Sequence, residues 1–110
     1  MKYVPKVMLI LAIAAYSIPM LSAADAAAGK AVYLKKCATC HGQAGEGKDA
    51  MAKMLKVEMR HLGAKEVQAR SDAELKKISL EGTGKMKPVK DIDAAGADDI
   101  VAYLRTLAKK

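Results

Sequence analysis

The chain has 110 residues, 19 Lys+Arg against 12 Asp+Glu, a formal net charge of +7, and 52% hydrophobic residues. That length holds one small domain, and the apolar content excludes a disordered chain. Two cysteines are too few for a disulfide scaffold. With no Trp, no Phe and four Tyr, the chain is also short of the large rings that fill a small core, so something beyond its side chains is expected to supply that bulk.

The apolar content is concentrated at the start. Lys2 and Lys6 make a short basic stretch, Val7 to Leu21 is apolar except for Ser17 and Pro19, and Ser22-Ala23-Ala24 offers small residues at the spacing a signal peptidase reads. This is the layout of a secretory signal peptide over residues 1–24, followed by one domain over residues 25–110. The alternative is an uncleaved anchor, but a 15-residue stretch broken by Pro19 falls short of the roughly 20 residues a spanning helix needs. No Cys lies near the cleavage point, which argues against a lipid anchor. The expectation is therefore an exported, periplasmic protein with no stable membrane insertion after cleavage. Lys2 and Lys6 leave with the signal, so the remaining 86 residues carry 17 basic against 12 acidic side chains, a formal +5.

Ala26 to Lys36 is rich in Ala and long side chains and is expected to be helical, with Gly29 and Tyr33 on one face. Cys37-Ala38-Thr39-Cys40-His41-Gly42 follows. Gln43 to Lys48 carries Gly45 and Gly47 and should be a loop. A short helix is expected over Ala50 to Val57, with Met51, Met54 and Leu55 turned inward. Ser71-Asp72-Ala73-Glu74 has capping-box spacing, and the helix behind it should run to about Leu80, ended by Gly82 and Gly84. The loop Gly82 to Pro88 reads as irregular. The last helix should start after an Asp93 cap and run from about Ala94 to Ala108, with Ala97, Ile100, Val101, Leu104 and Leu107 as its apolar stripe. Gly96 in its first turn should weaken that start by up to about 1 kcal/mol. No stretch alternates like a strand, so the domain is expected to be all-α.

Cys37-x-x-Cys40-His41 is the attachment pattern for c-type haem. Two thiols three residues apart in helical geometry lie on nearly one face and can add to the two vinyl groups of one porphyrin. The adjacent His41 then presents a neutral imidazole to the iron. Three other readings compete. A thioredoxin-like redox pair needs a βαβ setting, which is missing here. A zinc site needs a second Cys pair or a His-x-x-x-His, and the sequence has neither. A structural disulfide closing two residues gains little. Covalent haem also accounts for the missing aromatics, because the porphyrin becomes the centre of the core.

On these residues the chain resembles the class I cytochromes c, in particular the small bacterial monohaem carriers, over nearly all of Ala26 to Leu107. Gly29 and Tyr33 match the positions where that family's first helix crosses its last, and Ile100 and Tyr103 match the other side of the crossing. Glu81-Gly82-Thr83-Gly84-Lys85-Met86-Lys87-Pro88 resembles its methionine-ligand loop. The resemblance implies a cytochrome c fold of about four short helices around one covalent haem c. One departure stands out. Family members often carry a Pro shortly after the haem His that helps hold it, and residues 42–60 contain none. Either another backbone carbonyl holds the His41 ring or the ring is held less rigidly.

Cys37 and Cys40 are thus the candidate thioether positions and His41 the candidate fifth ligand. For the sixth, Met51 and Met54 lie at helical spacing and suit core filling. Met86 lies between Gly84 and Pro88, 45 residues past His41, enough chain to reach the far face of a porphyrin. His61, beside Arg60, reads as polar surface and is the rival, with the remaining Met a lesser one. With His41 and Met86 both bound, no coordination position is open. The expected role is then single-electron transfer between donor and acceptor proteins rather than enzymatic turnover. Alternatives are a haem c subunit of a specific oxidoreductase complex and a haem-based ligand sensor. A monomer is expected. Lys48, Lys53, Lys56, Lys85, Lys87 and Lys90 should ring the haem and meet acidic docking faces. Nucleic acid is not an expected partner of an exported protein whose basic residues lack interleaved aromatics.

Overall fold

The protein, seen in a computed structural model, is described over residues 24–109, so residues 1–23, and with them most of the expected signal peptide, lie outside the described region. Among the described residues six helices follow in order: α1 Ala26–Lys36, α2 Ala38–His41, α3 Asp49–Leu55, α4 Lys65–Gln68, α5 Asp72–Glu81 and α6 Ala94–Thr106. Among the described residues there is no strand, only an isolated bridge between Thr83 and Met86. No described helix is long and apolar enough to cross a membrane.

Local chemistry sets the helix ends. Asp25 caps α1 by accepting from the Ala27 and Ala28 N–H groups, and Lys35 and Lys36 sit at its negative end. Ser71 Oγ accepts from Glu74 N–H at 3.1 Å, the forward half of a capping box, and starts α5. Asp93 accepts from Gly96 N–H at 2.7 Å, so the glycine in the first turn of α6 is itself the donor the cap engages. α3 ends where Lys56 turns left-handed at φ 54°. That helix corrects one expectation: Met51 and Leu55 are half-buried, but Met54 is 66% exposed. On a seven-residue helix the face through Met51 and Leu55 is narrow, and Met54 lies about 100° round from Leu55.

The core forms where α1 crosses α6. Tyr33, Ala38, Ile100, Tyr103 and Leu104 make one buried cluster, with Val32, Cys37, Leu62, Ile92 and Leu107 packed against it. The Tyr33 and Tyr103 rings lie 5.1 Å apart at 54°, a tilted aromatic pair. Gly29 permits the crossing, because a Cβ there would overlap the Asp99 carbonyl of α6. Gly29→Ala gains helix propensity of about 1 kcal/mol. It must also push two packed helices apart, at a typical overpacking cost of about 1–3 kcal/mol. Because the clash is with backbone, a net loss of about 1–2 kcal/mol is expected. Denaturant unfolding of the haem-loaded protein reads it directly.

Arg105 ties α6 to the corner between α4 and α5. Its Nε and Nη2 donate to Asp72 Oδ1 at 2.9 and 2.7 Å, Nη2 also reaches the Arg70 carbonyl, and Nη1 donates to the carbonyl and Oε1 of Gln68. Gln68 in turn donates to the carbonyls of Leu62 and Leu104. Two turns that bury little apolar surface are thereby held in place by a connected polar network.

Candidate haem attachment site

Cys37, Cys40 and His41 come together within one turn. Cys37 is the residue at which α1 ends and α2 begins, and α2 carries Cys40 and His41. Both cysteines are free thiols and half-buried. Burial, and then the neighbouring Cys40, pushes the Cys37 thiol up to about 11, so before attachment it stays protonated at neutral pH. Burial holds the His41 imidazole below its ordinary value, which keeps it neutral and able to bind a metal.

The backbone around His41 is held on three sides. Lys48 N–H donates to the Cys40 carbonyl at 3.0 Å and Gly47 N–H to the His41 carbonyl at 2.7 Å. The buried Tyr33 hydroxyl donates to the Gly42 carbonyl at 2.6 Å. Burial, with Cys37 and Tyr103 nearby, pushes the Tyr33 phenol well above its usual range, so it remains a donor. The stretch 43–48, expected as a loop from its glycines, is one, and it folds back on the attachment turn. His41 Nδ1, by contrast, is buried with no hydrogen-bond partner among the described residues. No carbonyl takes the place of the missing proline's, and the ring is oriented through its backbone. A neutral imidazole with one buried, unpartnered nitrogen next to two free thiols is a donor set that fits covalent haem. Among the described residues, no cluster of His, Cys, Asp or Glu offers a competing metal site.

Met86 sits elsewhere, between α5 and α6, and shares no hydrogen bond with the attachment turn. Its loop is more ordered than the sequence suggested. Thr83 and Met86 exchange both backbone bonds, Thr83 N–H to the Met86 carbonyl at 3.0 Å and Met86 N–H to the Thr83 carbonyl at 2.9 Å. Gly84, at φ 54°, takes the first central position, where hairpin turns with matching twist favour glycine. Gly82, at φ 74°, lies so close to the returning chain that a Cβ would overlap the Met86 carbonyl. Two further bonds anchor the turn: Val89 N–H to the Ser79 carbonyl at 2.9 Å, and Lys85 Nζ to the Leu55 carbonyl at 2.5 Å, at the end of α3. The Met86 side chain is half-buried.

His61 is engaged otherwise. Gly63 N–H donates to His61 Nδ1 at 2.8 Å, so the neutral ring keeps its proton on Nε2 and has no free lone pair for a metal. Sequence reasoning passed over the Tyr33 hydroxyl and the Lys85 tether. The first belongs to a residue read only as packing, and the second is a contact across 30 positions that no local pattern announces.

The fold and this turn define a c-type cytochrome domain. Residues 24–104 match the family described as cytochrome c oxidase, cbb3-type, subunit III, and the chain belongs to that family. Cytochrome c-554(547) of Halothiobacillus neapolitanus is 35% identical over 92 residues, covering 77% of this chain and 99% of that protein. The solved KustC0563 c-type cytochrome superposes with a TM-score of 0.64 at 31% identity, over 74% of this chain and 98% of that one. Cytochrome cL of Methylophaga aminisulfidivorans MPT superposes with a TM-score of 0.58 at 22% identity, over 76% of this chain and 53% of that one, a likeness of fold. The cofactor is covalently bound haem c, as the Cys37-x-x-Cys40 pattern fits, and the activity is electron transfer with redox partner proteins.

Proposed function

We propose that the protein is a periplasmic single-electron carrier in which Cys37 and Cys40 hold haem c by thioether bonds and His41 and Met86 are its axial ligands. Haem c, when bound, supplies one iron that cycles between ferrous and ferric states. The chain does the rest. The attachment turn is fixed through the carbonyls of Cys40, His41 and Gly42, and the Met86 turn is closed by its own bridge and tied to α3. Ligands carried on turns tied through their backbone move little between oxidation states, which favours fast exchange. The reading is supported by a neutral His41 on a backbone-tied turn and by a methionine held in a built turn, while His61 is committed to Gly63. The test is carbon monoxide added to the reduced, exported protein. An unchanged spectrum fits a closed six-coordinate site, and ready binding would instead favour a ligand sensor.

A second reading draws on the family description, which names an oxidase subunit. Co-purification with a membrane complex would favour it over a free carrier.

Charge placement supports docking. Lys48, Lys53, Lys56, Lys85, Lys87 and Lys90 are all exposed, and none forms an ion pair among the described residues. The acidic residues that follow are already engaged: Asp91 with Lys36, Asp98 with Lys76, and Asp93 in its cap. Apart from Lys85, whose ammonium is tethered to Leu55, these lysines therefore remain available to an acidic partner. Electron-transfer rates should fall steeply as ionic strength rises to about 0.1 M, where the screening length shrinks to about 10 Å. Stopped-flow rates that stay flat over that range would point to an apolar docking patch.

A further inference from the structure

Asp25 joins two elements in a way that neither haem binding nor docking uses. Its exposed carboxylate caps α1, accepting from Ala27 N–H at 2.9 Å and Ala28 N–H at 3.2 Å. Its backbone nitrogen points the other way and donates to Oδ1 of Asp99 on α6 at 2.8 Å, across 74 positions. Asp99 lies at the α1–α6 crossing, where its carbonyl faces Gly29. Two other carboxylates on or against α6 already have cations, Asp98 with Lys76 at 3.0 Å and Asp72 with Arg105 at 2.7 Å. Asp99 has a neutral amide as its partner, although a cation at that same nitrogen would match its charge.

The sequence offers a way to place one there. Ser22-Ala23-Ala24 puts small residues at the first and third positions before the Ala24–Asp25 bond. One residue earlier, Leu21 would occupy the third position, and one residue later, Asp25 would be lost as the α1 cap. Ala24 and Asp25 are exposed and precede the helix, so a new chain end there buries no charge.

We propose that signal peptidase cuts the Ala24–Asp25 bond and that the new Asp25 ammonium pairs with the Asp99 carboxylate, so that processing completes the α1–α6 crossing. In the hydrolysis the amide C–N bond breaks, the oxygen of water goes to the Ala24 carbonyl carbon and its two hydrogens go to the Asp25 nitrogen. A carboxylate leaves with the signal, and an ammonium remains on the domain. The positive end of the α1 dipole opposes a cation there, and the carboxylates of Asp25 and Asp99 flank it and offset that cost.

This proposal rests on the export reading, and the experiment separates the two. Mass spectrometry of the exported protein should give Asp25 as the first residue. Failure to recover the protein from the periplasm overturns export and the proposal with it, whereas an intact exported precursor or a different first residue overturns the proposal alone. Asp99→Asn is then compared in two backgrounds, the normally processed protein and one with Gly-Ser inserted after Ala24, which carries the ammonium two residues away. Asn still accepts from the Asp25 N–H, so only the charge pairing is lost. Asp99→Asn should lower the folding equilibrium constant about three- to five-fold in the processed protein, the scale of an exposed ion pair, and less than about two-fold in the extended one. Equal losses in the two backgrounds would overturn the pairing.

Discussion

Met86→Ala should open the far side of the haem: the reduced variant binds carbon monoxide and the oxidised one binds cyanide, where the parent resists both. Its midpoint potential should fall, because a thioether favours the reduced iron and an incoming water does not. The weak far-red sulfur-to-iron band of the oxidised parent should vanish. The structure makes this substitution local. Thr83 and Met86 bridge through backbone atoms, and Gly82 and Gly84 set the turn by their own dihedrals, so alanine at 86 leaves the turn in place. Met86→His should restore six coordination at a lower potential. The α3 methionines serve as controls. Met51→Leu costs packing only, typically below about 1.5 kcal/mol, and Met54→Leu, at a side chain 66% exposed, should cost less still. Both should keep the far-red band. If the band survives in Met86→Ala and disappears in either control, the ligand assignment is wrong. His61→Ala should leave the spectrum unchanged and loosen only the turn that Gly63 makes against it.

What could be read from the sequence divides along the range of the interactions. α1, with the bounds Ala26–Lys36, the Ser71 and Asp93 caps and the stripe of α6 are local patterns, and each was legible because helix propensity, capping and 3.6-residue periodicity act within a few positions. That Cys37, Cys40 and His41 share one turn was legible because they are adjacent in sequence. Gly29 was read through the family resemblance, and its overlap with Asp99 gives the physical reason. The inward turn of Met54 was misjudged because a seven-residue helix has room for only a narrow buried face. α4 went unread because its four residues carry no periodic signal, and the Gln68–Arg105 network that fixes it joins positions 37 apart. The Met86 loop read as irregular because a single two-residue bridge leaves no repeat to detect. The absence of a proline after His41 was visible, but only the structure shows that Nδ1 then finds no acceptor.

Cys37 and Cys40 together should decide whether this chain folds at all. Among the described residues the buried apolar side chains are Tyr33, Ala38, Leu75, Ala97, Ile100, Val101, Tyr103 and Leu104, of which two are alanines. α3 and α4 bury no residue. A domain of this size with so small a core has little stability to spare, and covalent haem is the remaining source of buried apolar surface. Cys37→Ala and Cys40→Ala singly leave one thioether each and should weaken pigment retention in denaturant without abolishing it. Cys37 also packs against the Tyr33–Tyr103 cluster, and Cys40 does not, so Cys37→Ala should be the more destabilising by about 1 kcal/mol. Cys37→Ala with Cys40→Ala should give a colourless chain with little cooperative unfolding, seen as a broad thermal transition by circular dichroism. His41→Ala is the informative contrast: it keeps both cysteines and removes only the proposed ligand, so colour should persist in denaturant while the native spectrum is lost. A double cysteine variant that stays folded and unfolds sharply without pigment would show that the α1–α6 crossing suffices alone, and that the haem is cargo rather than core.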